Sequence, residues 1–293
     1  MSTEPSWDLY RTFAAVLREG SLSGAARSLG LTQPSVARHV DALEAAVGGE
    51  LFVRSQRGLS PTDRALALRP HAEALAAASA SLLRTASGEA GAVAGTVRVS
   101  ASEMVGSVHL PPILAASRRA NPKLAVELVL NNALDDLLLR RADIAVRMIA
   151  PTQQALIARR VGKLAIGFHA HRSYCERRGV PGSFDALRAH DLIGPDTETP
   201  AVRAFLDLLP GIGRSDFALR TDSDVAHLAM IRAGSGIGVC QIAIARHDPD
   251  LVRILPDAFE IDLPLWIVMH EDLRSDPRCR AVFDAVAEGL GRL

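Results

Sequence analysis

Near Thr96 the apolar residues change period, and that change restricts the chain to two unlike parts. Before it, they recur at steps of three and four, as in amphipathic helices. After it, short apolar runs trade places with helical ones, the βαβ order of a parallel sheet. The fold class expected is α/β with an all-α N-terminal domain that ends in a small β wing. With 293 residues, 48% of them hydrophobic, the chain has material for two cores.

The N-terminal part divides at turn residues. Leu9, Phe13, Val16 and Leu17 place a helix over 8–18, which Gly20 ends. Ser23 is expected to cap a second helix from Gly24 to Leu29, whose Ala25 and Ala26 allow close packing. Gly30-Leu31-Thr32 then turns the chain. Thr32 caps a third helix with Pro34 in its first turn, where a missing N–H costs nothing.

The third helix has two faces. Val36, Val40, Leu43 and Val47 form an apolar stripe, while Pro34, Ser35, Arg38 and Ala42 point away from it at about 100° per residue. Gln33 stands at its exposed start, and His39 flanks the polar face. Two short helices, a turn and a helix with a polar first half fit docking in the DNA major groove. Gly48-Gly49 ends this helix. Leu51 to Arg54, a Gln56-Arg57-Gly58 turn and Leu59-Ser60-Pro61 read as a wing, with Arg54 and Arg57 set to meet phosphates or the minor groove.

These residues carry a resemblance. Ser21-Leu22-Ser23-Gly24-Ala25-Ala26, Leu29 and Leu31-Thr32-Gln33-Pro34-Ser35-Val36 look like the signature of LysR-type transcriptional regulators. Arg38, Leu43-Glu44, Gly48 and Leu51-Phe52-Val53-Arg54 continue it. The match is dense over about the first 65 residues. Two positions depart from it. Ala37 replaces a serine that touches DNA in the family, and Arg64-Ala65 replaces the usual Ala-Gly after the wing. The resemblance implies a winged helix-turn-helix in 1–62 that binds double-stranded DNA through Gln33, Pro34, Ser35, Arg38, His39, Arg54 and Arg57.

Residues 63–92 read as a dimerisation helix and hinge. Thr62 caps an Ala-rich helix to about Ser87. Leu68, Leu75 and Leu82 recur every seventh residue, each followed at four by Ala72, Ser79 or Ala86, a narrow seam suited to a second chain. Pro70 should bend this helix. Gly88, Gly91 and Gly95 form the hinge. The seam predicts a homodimer; the resemblance implies a homotetramer.

From 93 to 293 the expected strands are Val97–Ser100, Ala125–Leu130, Ile144–Met148, Phe217–Thr221, Ile237–Gln241 and Leu265–Met269. The expected helices are Ser107–Arg119, Ala133–Arg140, Asp224–Ala233 and Pro277–Leu290. This part resembles the family's regulatory domain, which looks like a periplasmic binding protein: two α/β subdomains joined by two crossing strands. Subdomain I would be 93–163 with 267–293, and subdomain II 164–266. Ligands of such sheets sit at the carboxyl ends of strands. Ser100, Ser102, Glu103 and Arg147 would line the effector cleft from one side, and Thr197, Glu198, Asp222 and Ser223 from the other. Arg147 makes a carboxylate a candidate effector. Alternatively, it pairs with a neighbouring acid and the serines are caps.

Other features argue against rival functions. Gly234-Ser235-Gly236-Ile237-Gly238 follows a helix and precedes a strand, the reverse of a dinucleotide loop. His169, His171 and Cys175 are too few for a metal site. No nucleophile elbow supports a serine enzyme, and no cofactor is expected. Cys175, Cys240 and Cys279 are odd in number and far apart, as in reduced thiols. The start of the chain lacks a signal-peptide layout, and no apolar run nears the ~20 residues of a membrane span, so a cytoplasmic protein is expected. The net charge is zero, so DNA binding must come from the placement of arginines rather than their number.

Overall fold

The computed structural model describes residues 4–55, 58–86, 92–132, 141–151 and 156–293, apart from the side chains of residues 54, 55, 58 and 85. It forms two compact bodies, one mainly Met1–Ser87 and the other Gly88–Leu137 with Ala142–Leu293.

The first body contains α1 (Trp7–Glu19), α2 (Leu22–Leu29), α3 (Gln33–Val47), the hairpin β1 (Phe52–Ser55) with β2 (Gly58–Pro61), and α4 (Asp63–Ala86). The Ser21 hydroxyl, not that of Ser23, caps α2 by accepting from Gly24 N. The helix therefore starts two residues earlier than its apolar pattern indicates. Phe13, Val16, Ala25, Val36, Val40, Leu43 and Leu51 close one core, with Phe13 and Phe52 at 5.7 Å between ring centres.

The first turns of α4 join that core. Ala65 and Ala72 are buried in it and Leu68 packs against it. Leu68, expected in an intermolecular seam, thus faces its own domain. Leu75 and Leu82 remain exposed, at 43% and 67%. The helix continues through Pro70. Arg64, one of the two departures from the family pattern, donates from Nη1 to Val47 O at the end of α3. Its guanidinium fills the space where any side chain on Gly49 would lie.

The second body contains β3 (Gly95–Ala101), a π turn (Val105–His109), α5 (Leu110–Ala120), β4 (Leu124–Leu130), β5 (Ile144–Arg147) and β6 (Leu156–His171). Next come α6 (Arg172–Arg178), α7 (Phe184–Leu187), β7 (Leu192–Gly194), α8 (Pro200–Leu206), β8 (Phe217–Arg220), α9 (Asp224–Arg232) and β9 (Ile237–Gln241). The last are α10 (Ile242–Ala245), β10 (Leu251–Arg253), β11 (Ile261–His270) and α11 (Pro277–Leu290). The expected helix over 133–140, and Gly88 and Gly91 of the hinge, lie outside the described residues.

One sheet of order β4-β3-β5-β11-β6-β9-β7-β8 runs through this body, with β10 also on β6. It is mixed rather than parallel. β3 is parallel to β4 and β5, and β7 to β8 and β9, but β6 and β11 pair antiparallel from Leu156↔His270 to Ile166↔Ile261. These two long strands cross between two separate cores. One core centres on Val97, Val99, Ile144, Ile267 and Phe283, the other on Phe168, Tyr174, Leu192, Phe217 and Ile254.

The segment after β3 departs from the expected single helix over 107–119. Pro111 and Pro112 have no N–H for the carbonyls of 107 and 108. The preceding turn widens into a π turn closed by Leu110 N on Val105 O, and α5 begins at Leu110.

Candidate functional site

The polar face of α3 is organised from its cap outward. Thr32 Oγ1 accepts from Ser35 N at 3.3 Å and lies 2.9 Å from Ser35 Oγ, which accepts from Arg38 Nη2 at 3.4 Å. Gln33, Pro34 and Arg38 are exposed and Ser35 is half-buried. His39 is placed differently. Its Nδ1 is 2.8 Å from the hydroxyl of buried Thr12, which ties α3 to α1 through one ring nitrogen. Glu44 Oε1 accepts from Leu51 N and Phe52 N and so fixes where the wing starts. Arg57 and the Arg54 side chain lie outside the described residues.

In the second body the carboxyl ends of β3 and β5 lie side by side, and the segment after β3 meets the start of α9. Ser100, Ser102 and Arg147 are buried, at 1%, 3% and 6% exposure. Arg147 donates from Nη2 to Ser100 Oγ at 2.8 Å and from Nη1 to Val146 O at 2.9 Å. Ser102 Oγ is buried with no hydrogen-bond partner among the described residues. Glu103 reaches the other subdomain, where its Oε2 accepts from Ser223 Oγ at 2.9 Å and from Val225 N at 3.3 Å. A carboxylate at the start of α9 complements the unpaired N–H groups and positive end of that helix.

Asn132 completes this junction. Its Oδ1 accepts from Glu103 N at 3.3 Å and its Nδ2 donates to Asp224 Oδ2 at 3.4 Å. Burial raises the Asp224 carboxyl above its ordinary value; the Asn132 bond opposes that and the Glu103 charge adds to it. A second clasp pairs buried His109 Nε2 with Gln241 Oε1 at 2.7 Å. Neither Asn132, His109 nor Gln241 carries a local sequence signal for this role.

The remaining expected residues gather in a different way. Asp222 accepts from Thr197 Oγ1 at 2.6 Å, Thr197 N at 2.8 Å and Asp196 N at 3.0 Å. These bonds, the Thr197 hydroxyl first, hold its carboxyl below the usual range. Glu198 is exposed in the same loop. Thr197 and Asp222 are thus brought together, and Ser223 joins Glu103, while Arg147 pairs with Ser100.

Two family models match the chain: "Bacterial regulatory helix-turn-helix protein, lysR family" over residues 7–66 and "LysR substrate binding domain" over 90–291. The chain belongs to the LysR family of transcriptional regulators. Its α1–α3 unit with the β1–β2 wing is the family's DNA-binding module, and the two-core sheet is its effector-binding domain.

A regulator of Pseudomonas aeruginosa, "HTH-type transcriptional regulator PtxR", is 30% identical over 96% of this chain and 91% of its own length. An "HTH-type transcriptional regulator" of Xanthomonas campestris is 31% identical over 61% of this chain, and that match spans 52% of the Xanthomonas protein. The LysR fold is shared with full-length CbnR, solved in complex with its target DNA. The TM-score is 0.66 at 21% identity, covering 97% of this chain and 99% of CbnR.

Within this LysR-family chain, Cys175 and Cys240 are poor nucleophiles. Burial raises the Cys175 thiol and pushes the Cys240 thiol up to about 12, so Cys240 stays protonated at neutral pH. No described helix is long and apolar enough to cross a membrane.

Proposed function

We propose that this regulator reads operator DNA with the exposed face of α3 and couples that reading to a small molecule bound between the subdomains of 93–293. Gln33, Pro34, Ser35, Arg38 and His39 form the reading face, with Arg54 and Arg57 of the wing on the phosphates. The line from Thr32 through Ser35 to Arg38 supports this, because it holds a guanidinium on the exposed side of α3, and arginine forks pair with guanine edges. Arg38→Ala should lower specific affinity by about 1–3 kcal/mol, and Arg57→Ala should weaken all sequences alike. Genome-wide mapping supplies the operator for the gel-shift titration. Unchanged affinity and salt slope in Arg38→Ala would exclude this face.

The observation that carries the effector site is the Ser102 hydroxyl, buried without a partner among the described residues at the end of β3 beside Glu103. A buried polar group left unpaired costs about 1–3 kcal/mol, so a ligand that bonds it gains affinity. Ser100, Glu103, Arg147, Thr197, Glu198, Asp222 and Ser223 are the other proposed contacts, drawn from subdomain I (93–163 and 267–293) and subdomain II (164–266). A carboxylate effector would take over Arg147 from Ser100.

Leu75 and Leu82, exposed on α4, and half-buried Leu68 are the proposed dimer contacts, with 63–92 as dimerisation helix and hinge. A cytoplasmic homodimer, or a homotetramer built from it, completes the reading. Light scattering of Leu75→Glu should show a smaller assembly, and an unchanged mass would remove Leu75 from the interface.

A further inference from the structure

Away from the cleft, subdomain II holds a cavity of about 310 Å³ between β6, β10 and α10. That lies near the lower end of small-molecule pockets, roughly 300–1,000 Å³. His169, Arg246, Arg253, Glu260, Ile242 and Leu251 are among its lining residues. Its walls follow from strand register. Arg253 of β10 stands opposite His169 of β6, and Gly167, two residues earlier on β6, shares their face.

Gly167 makes room for the guanidinium. A Cβ built there would lie 1.2 Å from Arg253 Nη1. The Arg253 side chain is only 20% exposed. Its Nη2 donates to Phe259 O at 2.7 Å and lies 3.5 Å from Glu260, a carboxylate that is 55% exposed. Its Nη1 is buried with no acceptor among the described residues. A desolvated cation with one long ion pair and an unsatisfied N–H favours a further anion.

The other walls offer complementary groups. His169 Nδ1 is 2.9 Å from Gly167 O, which can only accept, so Nδ1 carries the proton and Nε2 is the acceptor. Burial first, and the Arg253 charge after, lowers this imidazole to about 4, so it is neutral near pH 7. Ile242 and Leu251 supply apolar surface, and exposed Arg246 stands as a second cation.

We propose that this cavity is a second ligand site, separate from the cleft, which takes a small organic carboxylate with an apolar body. The carboxylate displaces Glu260 from Arg253, Arg246 adds attraction, and the apolar body lies on Ile242 and Leu251. A hydroxyl or N–H on the ligand would donate to His169 Nε2. Inorganic phosphate fits less well, because it leaves the apolar wall unused and brings a second negative charge towards Glu260.

Isothermal titration of the full chain with benzoate, its neutral isostere benzamide and inorganic phosphate tests the site. Benzoate should bind saturably, with benzamide and phosphate at least tenfold weaker. Arg253→Gln and Gly167→Ala should each weaken benzoate at least tenfold, the second by evicting the guanidinium. Exposed Arg246→Gln keeps the test valid should either of those misfold, and should weaken benzoate severalfold. Absence of saturable benzoate binding, or phosphate binding as tightly, would overturn the proposal. Full benzoate affinity in folded Arg253→Gln or in Arg246→Gln would overturn it too, and would leave the cleft as the benzoate site.

Discussion

The two bodies of this regulator are held together over very different distances along the chain. In the DNA-reading body, Phe13, Val16, Ala25, Val36, Leu43 and Phe52 meet within about forty residues. Its bonds are as local: Thr32 to Ser35, Ser35 to Arg38, Glu44 to Leu51. In the sensor body, Glu103 meets Ser223 across 120 residues and His109 meets Gln241 across 132. A surface made from neighbouring turns is rigid as soon as its helices pack. A cleft made from distant segments has few bonds across it, and those bonds can be exchanged for a ligand.

The sharpest way to break this comparison is to damage one body and watch the other. Phe13 is 2% exposed and packs its ring at a tilt against Phe52. Phe13→Ala should cost about 3–5 kcal/mol, a large share of a domain's stability of about 5–15 kcal/mol. Differential scanning calorimetry should show the transition of the DNA-reading body lowered and that of the sensor in place. A single transition that moves as a whole would mean that the bodies unfold as one unit.

The same contrast decides what could be read from sequence. The cap at Thr32, the stripe on α3 and the wing are local, and helix α11 ran from Pro277 to Leu290 as its spacing indicates. The errors have local causes too. Ser21 and Ser23 are both plausible caps, and only the geometry of Gly24 N selects the first. Leu68 has the spacing of a seam and also packs on its own domain, because the turn at Thr62, bonded to Leu51 O, brings the start of α4 back onto that core. Pro111-Pro112 was a visible signal for the break before α5. Ser102 and Glu103 were legible as the residues that follow a strand. Asn132, His109 and Gln241 were not, because nothing local marks a bond made more than 90 residues away.

Acid separates the bodies in a second way. In the sensor, burial lowers His169 and His227 to about 4, against about 6.5 in the unfolded chain. Below pH 6.5 the unfolded imidazoles bind protons that the folded ones refuse. The stability these groups give is therefore present above pH 6.5, falls between 6.5 and about 4, and is gone below that. The ceiling is about 3 kcal/mol for each histidine. Asp224, raised by burial, works in the opposite direction and softens the slope. Urea unfolding of the sensor transition at pH 7, 6, 5 and 4 measures it. His227→Gln should flatten the pH dependence, and a slope identical to wild type would show that His227 is not buried neutral.

The smallest expected effect is the most informative about the cleft. Glu103 puts a carboxylate on Ser223 Oγ and Val225 N, where the start of α9 would otherwise receive an anion from outside. Glu103→Gln keeps the shape and one acceptor oxygen but removes the charge. Charge at a helix start contributes about 0.3–1 kcal/mol, so the sensor should lose no more than that in stability. If the effector is a carboxylate, it competes with Glu103 for this helix start and feels its repulsion. Removing the charge should then tighten effector binding by up to about fivefold, and salt should reduce the gain. Operator affinity without effector reports the other side of the linkage: a weaker bond across the cleft shifts it only if Glu103 biases the sensor between two states. Titration calorimetry of the effector on both proteins gives the sign. Tighter binding supports a carboxylate at α9. Weaker binding means that the effector uses the Glu103 charge, as an amine would, and removes the carboxylate from the cleft.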